Sequence, residues 1–147
     1  MEIAVDGWRA SAADWEAVKS LPPEQVPPLS REQREVARKL GIPELDYARS
    51  ALAGRRSQDA LLAKGERLAG LLARMLATKR VPADVERITL RTFDEKFEIS
   101  LRFGQETVPF RIAEQLVDDL FENGSPEAEQ RLTRILETVV QTRRRTQ

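Results

Sequence analysis

At Val81-Pro82 the spacing of apolar residues changes from about 3.6 to 2, and that change divides what the two parts of the chain can fold into. Before it, Leu61, Leu68, Leu72, Met75 and Leu76 recur at helical spacing. After it, Ile88 and Leu90, then Phe97, Ile99, Leu101 and Phe103, then Val108 and Phe110 alternate with charged or polar neighbours. Alternation of this kind gives three antiparallel strands with turns around Asp94-Glu95-Lys96 and Gly104-Gln105, one sheet face apolar and the other charged. The apolar face needs a cover. Two helical patterns downstream supply it: about 112–122, with Ile112, Leu116, Val117, Leu120 and Phe121 inward, and about 126–144, with Leu132, Ile135, Leu136, Val139 and Val140 inward. Asn123-Gly124 ends the first and Ser125-Pro126 starts the second.

The first half reads as helices separated by punctuation. Ser11 with Asp14 opens a short helix over about 11–20. LPPEQVPPL then holds four of the eight prolines and reads as an extended linker. Ser30 with Gln33 caps a second helix whose stripe is Val36, Ala37 and Leu40 and whose end is Gly41. Pro43 starts a third helix that runs to Gly54, and Ser57 caps a fourth and longest one to about Lys79. Gly65, Ala69, Gly70 and Ala73 interleave with its apolar face and admit close approach of another helix. The expected fold is therefore α+β: an N-terminal helical segment with a long central helix, then a three-stranded antiparallel sheet covered by two C-terminal helices.

Charge follows the same divisions. The chain is neutral overall, yet residues 29–80 carry 12 basic and 6 acidic side chains while residues 81–128 carry 5 basic and 11 acidic. Such alternation suggests segments that attract one another, within one molecule or between copies. Three segments are expected: an arm at 1–28 with a short helix and proline linker, a basic helical segment at 29–80, and a strand-and-helix segment at 81–147 that forms one compact unit with 29–80. No apolar run approaches the roughly 20 residues that cross a bilayer, and the N-terminal residues lack a basic start followed by an apolar stretch. A cytoplasmic location is expected, with no membrane association.

Histidine and cysteine are both absent. That removes Ser-His-Asp and Cys-His nucleophile systems, thiol redox motifs and structural zinc sites at once. The seven glycines are scattered at boundaries with no phosphate-loop pattern. Asp94-Glu95-Lys96 has the D-x-K spacing of metal-dependent nucleases, with Asp84 as the only earlier acid at a suitable distance, but it falls in a tight turn where charged residues are commonplace. Glu114, Asp118 and Glu122 form a carboxylate stripe that could hold a divalent cation only if a second acidic helix faced it; the last helix offers mainly arginine. No enzyme activity, cofactor, metal or small-molecule substrate is expected.

Two resemblances centre on residues 29–53. EVARKLGIPELDYARSAL is similar to a DNA-binding helix-turn-helix at Ala37, Gly41 and Ile42, but departs from it at Tyr47 and Ser50, and its second helix starts with the phosphate-repelling Glu44 and Asp46. From Leu29, the segment LSREQREVARKLGIPELDYARSALA resembles a short element of bacteriophage and prophage capsid-assembly proteins of the Mu-like protease and scaffold type. Leu29, Glu32, Gln33, Val36, Leu40, Gly41, Ile42 and Tyr47 carry that resemblance, over about 25 of the 147 residues. It implies a phage or mobile-element origin, with a virion location as the corollary.

The expected function is a non-catalytic structural or interaction subunit that self-associates or docks into a larger complex, with a protein partner or a homo-oligomer. Trp8 and Trp15, which bracket the first helix start ahead of the proline linker, are the candidate docking residues. The alternative is a nucleic-acid-binding accessory protein that uses Arg38, Lys39, Arg49, Arg55, Arg56, Lys64, Arg67 and Arg74. No aromatic platform accompanies those basic residues.

Overall fold

A computed structural model describes residues 1–145. The elements run β1 (Glu2–Asp6), α1 (Ala12–Lys19), a 3-10 turn (Pro23–Gln25), α2 (Arg31–Leu40), α3 (Glu44–Thr78), β2 (Asp84–Arg91), β3 (Lys96–Phe103), β4 (Glu106–Ala113), α4 (Glu114–Phe121) and α5 (Pro126–Arg145). The class is α+β. Two compact units divide the chain, one made of Met1–Gly7 with Leu62–Gln147 and the other of Trp8–Leu61.

In the first unit the sheet has four strands in the order β1-β2-β3-β4. The expected three antiparallel strands form the β2-β3-β4 meander, and β1 adds a fourth, parallel to β2, with Ile3 opposite Ile88 and Val5 opposite Leu90. The sheet is thus mixed. Residues 2–6 carry no strand signal in the sequence, because five residues offer only two alternating apolar positions. Register keeps the apolar set on one face: Ile88, Leu90, Phe97, Ile99, Leu101, Phe103 and Ile112 are buried. Their cover includes Leu68, Leu72 and Leu76 of α3, Leu116 and Val117 of α4, and Leu132 and Leu136 of α5, all buried as well. Each such side chain contributes roughly 1.5–3 kcal/mol when removed from water.

Gly65 sits where α3 meets the sheet. A Cβ there would lie 2.8 Å from Cγ2 of Ile3. The small residue admits a strand and not the second helix that its spacing suggests. A Pro82-containing turn precedes β2, and Arg143 closes the far end of the unit by stacking 4.4 Å above the Phe103 ring and reaching Glu106 at 3.1 Å. Ile112 belongs to β4, so α4 starts two residues later than its apolar pattern suggests.

In the second unit, local chemistry matches the reading closely up to Gly41. Ser11 accepts from the Asp14 amide to cap α1. Ser30 and Gln33 form a reciprocal capping box on α2, and Gly41 takes the left-handed conformation (φ 69°) that ends it. The linker buries Val26 and Leu29 against Ala48, with Leu21 and Tyr47 beside them, so two of its apolar residues anchor it. Beyond Pro43 the structure departs from expectation. The third and fourth helices are one helix of 35 residues, α3, because Gly54 continues it. A mid-helix glycine costs about 1 kcal/mol relative to alanine but does not break the hydrogen-bond ladder.

Candidate functional site

Ser57 does not cap a helix; it lies inside α3, almost fully buried, and ties α1 down. Its hydroxyl donates to Asp14 Oδ2 at 2.7 Å and accepts from the Ser11 amide at 2.9 Å. Ser11 Oγ donates to the same carboxylate oxygen at 2.9 Å, and the Arg56 guanidinium stands 3.8 Å from Asp14 Oδ1. The Ser57 and Ser11 hydroxyls, with Arg56 adding a smaller attraction, hold the Asp14 carboxyl below its usual range against the opposing effect of burial. This cluster fixes the chain segment that carries both tryptophans.

Trp8 occupies a seat prepared for it. A Cβ on Gly54 would collide with Nε1 of the Trp8 indole, so the ring lies directly over the helix backbone that only glycine leaves bare. It is nonetheless 67% exposed. Beside it runs a groove of about 490 Å³ lined by Trp8, Ile42, Tyr47, Ala51 and Gly54, with Gln33, Ser50, Arg55 and Gln58 as its polar members. The volume is in the range of ligand and peptide clefts.

The same unit displays further unburied apolar side chains. Val36 and Leu40 lie one turn apart on α2, Ile42 follows at the bend, Leu45 begins α3, and Trp15 projects from α1. Leu40 is 63% exposed. α2 buries only Ala37, so an amphipathic helix shows its apolar stripe to solvent. The sequence singles out the two tryptophans, whereas it marks Val36 and Leu40 only as the apolar stripe of α2 and Leu45 as an inward position of α3. Their exposure is not visible in a periodic pattern, which reports a shared face and not what covers it.

The basic residues fall in both units. Arg38, Lys39, Arg49, Arg55 and Arg56 belong to the unit of residues 8–61, whereas Lys64, Arg67 and Arg74 belong to the other. Three are engaged internally. Arg49 donates to the Leu21 carbonyl at 3.1 Å, Arg56 approaches Asp14, and Lys64 lies 2.6 Å from Asp118 and 3.8 Å from Glu114. Arg38, Lys39, Arg55, Arg67 and Arg74 are exposed.

Lys64 also explains the carboxylate stripe on α4. Glu114 and Asp118 turn toward this one lysine of α3, and Glu122 is exposed. Asp84 and Asp94 stand at opposite ends of β2, and Asp94 pairs with Arg91 at 3.0 Å, so the nuclease-like set is not assembled. Among the described residues no group of three or more acidic, histidine or cysteine side chains could hold a metal ion. No described helix is long and apolar enough to cross a membrane. Comparison of the chain with family models, characterised proteins and solved structures gave no match.

Proposed function

We propose that the protein is a non-catalytic interaction subunit whose residues 8–61 dock onto another protein surface, a second copy of the chain included. One observation carries this reading. Trp8, Trp15, Val36, Leu40, Ile42 and Leu45 are all exposed within a single 54-residue unit, and Trp8 is seated over a glycine at a mid-helix position where alanine has the higher intrinsic helix propensity. Large exposed aromatic and aliphatic side chains beside a formed groove are the usual composition of a docking centre. An assembly role of the kind that the phage resemblance of residues 29–53 implies falls within the same proposal. The engagement of Arg49, Arg56 and Lys64 inside the chain leaves the nucleic-acid reading with fewer free cations to rest on.

Site-specific photocrosslinking tests it. With p-benzoylphenylalanine at Leu40 or Ile42, illumination is expected to yield discrete adducts, in the purified protein or in the host cell. The same group at Arg131, an exposed position on α5, is expected to yield none. Absence of adducts from Leu40 and Ile42 under both conditions would overturn the proposal.

A further inference from the structure

α2 buries only Ala37, so most of its surface faces solvent. Val36 and Leu40 form its apolar stripe, 42% and 63% exposed. On an α-helix a spacing of seven residues returns to nearly the same face, displaced by about 20°. Glu32 and Lys39 have that spacing and share one flank of the stripe. Their charges are opposite. Both side chains are exposed, and neither takes part in an ion pair or hydrogen bond among the described residues, whereas Arg31 and Glu35 on the same helix have each other at 3.9 Å.

The flank is neutral in sum but bipolar along the helix, negative in the first turn and positive in the last. A face of that kind is complementary to itself when turned end over end. We infer that the occupant of the α2 face is α2 of a second copy, packed antiparallel across a twofold axis, with Glu32 of each chain against Lys39 of the other. The midpoint between Glu32 and Lys39 falls beside Val36, so the register that pairs the charges also sets Val36 against Val36 of the second copy, with Leu40 alongside. Antiparallel packing brings like flanks together. A parallel pair would instead set the charged flank against the one that holds Gln33 and the buried Ala37, where no charge answers it. Charges beside an apolar helix seam select orientation in this way.

This inference rests on the docking role proposed above and names its partner. The contact is isologous, so it closes at two copies and leaves no patch from which a chain could grow. A seam about 15 Å long is shorter than a standard interface of roughly 800 Å² per partner provides, so the pair forms only at high protein concentration. The apolar stripe supplies most of the affinity. The two charge pairs set the orientation, and salt weakens their share by screening.

Charge reversal on the purified protein provides the test. Glu32→Lys sets lysine against lysine at both contacts, and Lys39→Glu sets glutamate against glutamate. Both positions are exposed, so each variant is expected to keep the circular dichroism of the wild type. In sedimentation velocity the wild type is expected to pass with rising concentration from 16.7 kDa to twice that mass. Each single reversal is expected to weaken the pair about tenfold or more. An equal mixture of the two variants is expected to regain the wild-type dimer, because lysine then faces glutamate at both contacts, and the double variant Glu32→Lys, Lys39→Glu is expected to regain it alone. A dimer that neither single reversal weakens overturns the antiparallel α2 contact while the wider docking role stands. A mixture and a double variant that both stay monomeric overturn it too, as does a wild type that stays monomeric. Crosslinking at Leu40 and Ile42 reads the wider role independently.

Discussion

The Ser57 hydroxyl donates to Asp14 Oδ2 at 2.7 Å across 43 residues of sequence, and through Ser11 the same carboxylate organises the start of α1. A hydrogen-bonded carboxylate has a lower pKa folded than unfolded, where the usual value is about 3.9. The linked stability is present in full above the unfolded value and is lost as pH falls through the folded one. Urea midpoints from pH 7 to pH 2 are expected to show Asp14→Asn less stable than wild type at neutral pH by about 1–2 kcal/mol, with the gap closing below about pH 4. A constant gap would detach the clamp from the carboxylate charge.

Gly54 and Gly70 share α3 yet should respond oppositely to alanine. At Gly70 nothing lies within 4 Å of an added Cβ, so Gly70→Ala is expected to stabilise the protein by about 0.5–1 kcal/mol in thermal or urea unfolding. At Gly54 the methyl displaces Trp8. Gly54→Ala is expected to lose that gain and to shift the tryptophan emission while the far-ultraviolet circular dichroism stays unchanged.

Gly65→Ala tests the close approach of α3 to the sheet. The added methyl meets Cγ2 of Ile3 at 2.8 Å, and β1 is held in the sheet through β2 alone. Destabilisation of about 1–3 kcal/mol is expected, with faster amide exchange at Ile3 and Val5 than at Ile99.

Lys64 serves two carboxylates of which Glu114 is buried. Removing the cation leaves them facing each other in a poorly hydrated place. Lys64→Met is expected to cost about 3 kcal/mol at neutral pH. The double change Lys64→Met, Glu114→Gln is expected to recover part of it in the same unfolding measurement, because one of the two carboxylates that lost the lysine is no longer charged.

The sequence showed most clearly those features that depend on neighbours in the chain. The caps at Ser11 and Ser30, the stop at Gly41 and the β2-β3-β4 alternation all rest on spacings of two to four residues, and each stands in the structure. What escaped depends on distant partners. β1 is a strand because Ile88 and Leu90 receive it, and Gly54 reads as a terminator until Trp8 is seen lying on it. The same holds for the candidate site. Trp8 and Trp15 were visible as isolated aromatics, but the exposure of Val36, Leu40 and Leu45 follows from what fails to cover them, and periodicity carries no record of that. Lys64 looked like part of a basic surface because its two acidic partners lie 50 and 54 residues further on.

The central claim, that the apolar surface of residues 8–61 is a docking face, is tested most directly by sedimentation velocity of the wild type beside a Val36→Asp, Leu40→Asp, Ile42→Asp triple variant. All three positions are exposed, so the variant is expected to fold with unchanged circular dichroism. The wild type is expected to sediment as species heavier than 16.7 kDa whose share rises with concentration, and the variant as monomer throughout. Heavier species that the variant forms as readily as the wild type would contradict the account, and so would monomers of both together with the absence of adducts from Leu40 and Ile42.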